Sequence, residues 1–380
     1  MKYDAIIIGG GIIGASIAYN LTKQGMRSVA VFEKNYISSG STGRCGGGIR
    51  QQWASPENCK LAVKSVHLFE KLDQELGFDT EYYQGGYLLL AFTDEEVEQF
   101  RKNVVMQQGA GVPVRLIGVD EVAAKFPFLD TSDLKAAAHC RTDGHINPML
   151  VNQAYADAAK RNGADIHLFT EVVRIVRDRD RINSVITADV RTFETGVLIN
   201  AGGGFSAEVA AMAGITIPTR PQRHEILITE PLEKFMDPMV IDFHHHIYFR
   251  QTKHGSVVMG YGDPHEPYTH NIQGSLEFLK TMSLMITKVV PAMKKVKIVR
   301  QWAGLYNMSP DAQPILGKVP GVSNYYQAVG FSGHGLMLAP AVAELMAELI
   351  VTGRTSMDIS DLSIDRFAGR TEFKLEKAVV

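Results

Sequence analysis

The sequence predicts an α/β and α+β protein: a Rossmann-like domain assembled from three separated stretches, with a mixed, mostly antiparallel domain inserted between them. Three observations carry this reading. The chain begins with a strand, a glycine turn, a helix and a second strand. Short strands separated by polar turns fill much of the region between residues 170 and 260. The 35 glycines of this 380-residue chain, where the usual ~7% would give about 27, concentrate in a few clusters that follow strands or precede helices. The length suits two or three domains rather than one.

Taken in order, residues 3–8 form an apolar run enriched in β-branched side chains. Ile12, Ile13, Ala15, Ile17, Ala18 and Leu21 then recur at helical spacing, and after Gly25 a strand spans 28–33. Helical periodicity returns over 57–76, a strand over 86–92, and a helix over 94–108 that opens on Asp94 as N-cap with an acidic first turn. Pro148 starts a helix over 148–161. Residues 170–176, 181–188, 192–194 and 197–200 read as short strands of a meander. Strands over 220–229, 246–251 and 256–260 follow, then a helix over 275–290. The apolar run 336–351 carries Pro340, Glu344 and Glu348 and falls short of the ~20 apolar residues that span a bilayer, so it reads as a buried helix. The nucleotide-binding stretches are then 1–78, 139–215 and 300–370, and the inserted domain comprises 79–138 and 216–299.

Composition narrows the function. Thirty-nine basic residues against 41 acidic ones offer no field for nucleic acid. Cys45, Cys59 and Cys140 are odd in number and far apart, so neither a disulfide framework nor a zinc site is expected. No export signal, transmembrane segment or repeat is read, and a cytoplasmic location is expected. His244-His245-His246 is not read as a metal site, because adjacent residues on a strand alternate faces. His224 lies within a strand and is read either as reaching the site or as structural. Arg174, Arg177, Arg179 and Arg181 read as a solvated edge with a partner interface left open.

Gly9-Gly10-Gly11-Ile12-Ile13-Gly14 matches GxGxxG directly after a strand and opening a helix. Gly9 permits the tight turn, Gly11 lets backbone N–H groups approach a pyrophosphate, and Gly14 allows close helix–strand packing. The helix N-terminus attracts phosphate charge. Glu33 ends the second strand, where an acid accepts from ribose hydroxyls, and its presence disfavours a 2′-phosphate. The fingerprint alone does not separate a nicotinamide cofactor from FAD. Residues 39–50, Ser-Gly-Ser-Thr-Gly-Arg-Cys-Gly-Gly-Gly-Ile-Arg, can run close to an extended ligand, with Ser41, Thr42 and Arg44 placed to meet a pyrophosphate; Cys45 reads as a buried thiol.

The order of GGGIIG, Glu33-Lys34 and SGSTGRCGGGIRQQ resembles the FAD-dependent family of D-amino-acid oxidase, glycine oxidase and the sarcosine oxidases. The pattern is most similar to the β-subunits of multi-subunit proline, sarcosine and opine dehydrogenases. Later segments agree: Leu198-Ile199-Asn200-Ala201-Gly202-Gly203-Gly204-Phe205-Ser206, Trp302-Ala303-Gly304-Leu305-Tyr306, and Gly330-Phe331-Ser332-Gly333-His334-Gly335-Leu336. The resemblance covers almost the whole chain and implies a Rossmann-like FAD-binding domain with an inserted, mostly antiparallel substrate-binding domain.

It further implies FAD held along Gly9, Gly11, Ile12, Ile13, Gly14, Glu33, Lys34, Ser41, Thr42, Arg44, Cys45 and Gly46–Gly48, with Val173 touching adenine through its backbone. Ala201 and Gly202 would flank the diphosphate, and Gly333, His334, Gly335, Leu336 and Met337 would meet the isoalloxazine. A helix N-terminus there stabilises negative charge on a reduced flavin. The implied chemistry is hydride transfer from the carbon beside a substrate amine to the flavin, with Arg50, Tyr248 and Tyr306 orienting a small amino or imino acid. Relatives carry an arginine at Tyr306, a lysine at Met337 and, where flavin is covalent, a cysteine at Gly304. Noncovalent FAD is therefore expected, and the carboxylate anchor stays open. Val258 stands where oxygen-using relatives place a lysine, which points to an α-subunit or other electron-accepting partner; FMN or an iron–sulfur centre on that partner is left open. A free-standing peroxide-forming oxidase, a nicotinamide-dependent dehydrogenase and an electron-relay subunit are the competing readings.

Overall fold

The computed structural model describes every residue except 371, 374, 379 and 380. Two large sheets organise it. In the first, the strands Asp165–His167, Val29–Phe32, Lys2–Ile8, Thr192–Asn200 and Tyr325–Val329 run parallel, and Ile315–Lys318 adds an antiparallel edge. Val29–Phe32 is buried on both faces, as parallel strands covered by helices must be. The helices Ile12–Lys23, Pro148–Arg161, Pro56–Leu76 and Gly335–Thr352 pack together against it. Gly335–Thr352 is long and apolar enough to cross a membrane by length and composition alone, but Leu338, Val342, Leu345 and Met346 are fully buried in this helix layer.

The second sheet runs in the order Ile298–Met308, Arg220–Thr229, Val257–Tyr261, Ile247–Gln251, Met239–Asp242, Tyr87–Ala91, Ala136–Cys140 and Val114–Gly118. Every pairing is antiparallel except Met239–Asp242 with Tyr87–Ala91. Strand alternation divides its side chains. Leu88, Leu90, Leu227, Val240 and Phe249 pack beneath the helix Leu276–Val289, whereas Tyr87, Ile226, Met239, Ile241 and Tyr248 join the core shared with the first sheet. This second face forms one wall of the site.

Three sequence expectations need correction. The boundaries at 138/139 and 299/300 each cut a strand of the inserted sheet. Ala136–Cys140 pairs with Tyr87–Ala91, and Ile298–Met308 pairs with Arg220–Thr229 along its length, from Arg220↔Met308 to Thr229↔Ile298. Residues 192–194 and 197–200 belong to one strand, Thr192–Asn200, whose first half pairs antiparallel with Arg181–Thr187 and whose second half pairs parallel with Lys2–Ile8. Gly196 interrupts the apolar pattern because a Cβ there would come 2.7 Å from the Asp4 carbonyl oxygen. Finally, Thr93 rather than Asp94 caps its helix, accepting from Glu96 N in a capping box.

Candidate active site

A continuous cavity of ≈ 460 Å³ runs between the sheets. Its outer end is built by the glycine turn. Gly9 has φ +114°, and a Cβ on it would strike the Ala201 carbonyl; a Cβ on Gly14 would strike the Gly9 carbonyl. Gly14 therefore lies beneath the turn rather than in the cavity wall, and lets the helix Ile12–Lys23 start against the strand. No side chain caps this helix at Gly11, although Ile12 N donates to Thr42 Oγ1 at 3.0 Å. Its open first turn and its dipole suit an anion. Glu33 accepts from Gly10 N and Asn35 N, each at 2.8 Å, and lines the cavity beside the turn. A dinucleotide fits this donor and acceptor set.

The polar glycine segment is bolted to the strand Ile298–Met308. Ser41 Oγ donates to Leu305 O at 2.6 Å, and Trp302 Nε1 donates to Arg44 O at 3.1 Å. Arg44 donates to Ser39 O and Ala303 O, both at 3.0 Å, so its visible work is to brace the loop rather than to reach a pyrophosphate. Gly46, Gly47, Gly48 and Gly304 line the cavity. A Cβ on Gly46 would come 2.9 Å from the Tyr248 ring, and one on Gly304 would come 3.0 Å from Arg44 Cβ. Cys45 is held inert, because burial pushes its thiol up to about 11.

Ala201, Gly202, Lys34 and the Gly333–Met337 stretch also line the cavity. Lys34 Nζ sits 3.3 Å above the Phe205 ring at the end near Glu33. Near the place expected for Val173, Thr170, Glu171 and Val172 line the wall, and the Val173 side chain is exposed. The helix Gly335–Thr352 begins at His334 with no side-chain cap. The His334 ring turns to Trp53, 4.4 Å between centroids, and its Nε2 meets Ala312 O at 3.0 Å. Burial holds this imidazole down at about 4, so it is neutral near pH 7.

At the inner end Arg50, Tyr248 and Tyr306 come together, with His224, Tyr87 and Trp53. The His224 ring lies tilted by 41° against Tyr306 with 4.0 Å between centroids, and is more nearly parallel to Tyr248, at 26° and 6.2 Å. Its Nε2 is buried without a partner, and burial holds its pKa at about 4. Burial raises the Tyr248 and Tyr306 phenols, so both stay protonated. Tyr248 covers Gly260, where any Cβ would strike its ring. Arg50 stacks on Trp53 at 4.0 Å and donates to Gln52 O and Ala378 O, while its Nε stays buried and unpartnered. Among the described residues, the cations lining the cavity are Lys34, Arg44 and Arg50. With Lys34 at the far end and Arg44 committed to backbone, Arg50 is the one with a buried donor to spare.

Other expectations shift. Val258 is buried in its sheet and lies outside the cavity wall. His244 and His245 occupy a turn rather than a strand and pair with Glu96 and Asp242. Arg174, Arg177, Arg179 and Arg181 are all exposed, as a solvated edge would be, and Arg177 in addition donates to Arg179 O, Ala213 O and Gly321 O. Sequence reasoning missed Trp53 and Tyr87, which carry no motif and reach the site from the segment before the helix Pro56–Leu76 and from the strand Tyr87–Ala91. Their bulk next to glycine-rich segments was the available signal.

Residues 4–349 match the family model described as DAO, FAD-dependent oxidoreductase. The chain is 31% identical to sarcosine oxidase subunit beta of Rhizobium meliloti (strain 1021), over 96% of this chain and 88% of that protein. It superimposes on L-proline dehydrogenase from P. horikoshii with a TM-score of 0.93 and 40% identity, covering 96% of this chain and 98% of that one. Glycine oxidase from Geobacillus kaustophilus gives a TM-score of 0.89 at 26% identity, over 97% and 100% of the two chains. A cavity lined by the glycine turn and Glu33 and a match over almost its whole length together establish that this chain belongs to the DAO family of FAD-dependent oxidoreductases.

Proposed function

We propose that the protein oxidises the C–N bond of a small amino or imino acid, a secondary amine such as proline or sarcosine, as the catalytic subunit of a complex that passes electrons to a partner. The observation that carries this is the inner end of the cavity, where the buried Arg50 cation with a spare donor shares one chamber with neutral His224 and two protonated tyrosines. In this reading Arg50 anchors the substrate carboxylate, and Tyr248 and Tyr306 donate to it or flank the aliphatic part. The unpartnered His224 Nε2 accepts an N–H of the amine and keeps the nitrogen lone pair directed along the bond to be oxidised. Bound FAD supplies the hydride acceptor. The carbon loses a hydride, the nitrogen loses a proton, and the resulting imine is hydrolysed if it does not cyclise or diffuse away.

The names of the similar proteins support an amino-acid substrate, and the β-subunit name supports a partner. The cavity's single lining lysine among the described residues, Lys34, lies at the end away from His224, so no lysine stands at the inner chamber to favour superoxide. The likeness to glycine oxidase keeps a peroxide-forming oxidase as the second reading. Anaerobic bleaching of the flavoprotein by a panel of proline, sarcosine, glycine, D-amino acids and opines tests the proposal. Bleaching by none of them would favour the electron-relay alternative, and stoichiometric peroxide in air would favour the oxidase.

A further inference from the structure

We infer that the segment 375–378 is a working part of the substrate site, in which Glu376 is a positioning residue that sets the Arg50 guanidinium for a carboxylate; this rests on the proposed role of Arg50. Ala378 O accepts from Arg50 Nη2 at 2.6 Å, and Gln52 O accepts from Nη1 at 3.0 Å. These two carbonyls, with the Trp53 ring beneath, fix the plane of the guanidinium and leave Nε–H buried and unspent. An arginine presents its donors as a rigid fork, so fixing the plane fixes where a carboxylate must lie. Burial holds the Arg50 guanidinium below its usual range, and its two hydrogen-bond acceptors here are neutral carbonyls. A buried cation in that state gains most from an anionic ligand.

The segment is built to stay in place. The Glu376 carboxylate is 2% exposed and accepts from Ala54 N at 2.8 Å, Ser55 Oγ at 2.7 Å, Asn58 Nδ2 at 3.0 Å and Ala378 N at 3.1 Å. It closes the N-terminus of Pro56–Leu76, whose Ser55 makes no side-chain cap of its own, and the helix dipole adds to its hold. Burial pushes this carboxyl up, but the bonds from Ser55, Ala54 and Asn58 outweigh it and keep it ionised. Glu376 N in turn donates to Asp311 O at 2.9 Å. One carboxylate oxygen thus bonds both Ala54 N and Ala378 N, coupling the approach to the helix directly to the carbonyl that holds Arg50.

The test uses the FAD-loaded protein and two probes read by flavin absorbance: pyrrole-2-carboxylate, a planar acid that cannot be oxidised at an sp³ C–N carbon, and its carboxamide. The ratio of their dissociation constants reports the carboxylate anchor and cancels general loosening. Glu376→Ala, Glu376→Gln and a chain ending at residue 370 are compared with Arg50→Gln. Loss of a bond to a charged group predicts that Glu376→Ala and the shortened chain weaken the acid by about tenfold or more and the amide by less than about twofold. Arg50→Gln weakens the acid at least as much. If Arg50→Gln alone changes the ratio, the role of Glu376 is overturned and the anchor stands. If Arg50→Gln leaves it unchanged, or the unaltered protein binds the acid no better than the amide, both fall. Should the shortened chain not fold, Glu376→Gln, which keeps the side-chain shape, decides by the same ratio.

Discussion

The imidazole of His224 lies 4.0 Å from the ring of Tyr306, centroid to centroid, with its Nε2 buried and unpartnered. The two side chains come from adjacent antiparallel strands in which His224 faces Gly304 and Gln222 faces Tyr306. A buried polar atom without a partner costs free energy unless a ligand meets it. Replacing His224 with Ala is expected to lower kcat/KM for the amine substrate by roughly 10²-fold, within the usual reach of a positioned acid–base group. FAD content should be unchanged. A pre-steady-state measurement of flavin reduction checks this, and an undiminished reduction rate would remove His224 from the reaction.

Gly14→Ala is expected to yield protein without flavin. The added methyl would meet the Gly9 carbonyl, which belongs to the turn itself and cannot yield without displacing it. The ratio of absorbance near 450 nm to that at 280 nm in purified protein reads the outcome. A fully yellow Gly14→Ala protein would show that the turn tolerates being pushed apart.

How legible this site was depends on the range of its contacts. Gly9, Gly14 and Glu33 were readable because turn, helix start and acid lie within one βαβ unit. The strand Ile298–Met308 was assigned to the wrong domain because its partner, Arg220–Thr229, lies some eighty residues upstream, and nothing local announces such a pairing. Arg50 was readable as a site residue from its glycine neighbours. What holds it could not be read in full, since Trp53 is three residues on but Ala378 is 328 residues away. At the adenine end the cavity wall is formed by Thr170, Glu171 and Val172, one residue short of Val173, whose side chain is turned outward by the strand's alternation.

Cys45 is expected to resist alkylation in the folded protein. Burial raises its thiol to about 11 and that of Cys59 to about 12, so few thiolates exist at pH 8. Mass spectrometry after iodoacetamide treatment should show Cys45 and Cys59 unmodified until denaturant is added. Cys45 is partly exposed at the cavity wall, so rapid labelling of it in native protein would show that its thiol is not held up. The same experiment reads the flavin linkage: with Gly304 in place of a cysteine, acid precipitation should release all the FAD into the supernatant.

Acid should destabilise the fold from about pH 6.5 downward, and the sign follows from the buried groups. His224 and His334 are held by burial at about 4, and His145 at about 2, against an ordinary 6.5. Below pH 6.5 the unfolded chain binds protons at these three sites that the native protein refuses, so stability is present above 6.5 and lost as pH falls. Asp143 opposes them. Burial raises its carboxyl from 3.8 to about 6, so the native state takes its proton first and gains stability between those values. These three histidines against Asp143 leave about two protons in favour of the unfolded state near pH 5, while burial also lowers His139 and His167 on the same side and raises Asp242 on the opposing one. The midpoint of urea unfolding should therefore drop steadily from pH 7 to pH 5, and Asp143→Asn should steepen the drop by removing the opposing group. A midpoint that holds level or rises over that interval would mean that these imidazoles are charged inside the fold, and His224 could then no longer accept a proton or an N–H from the substrate.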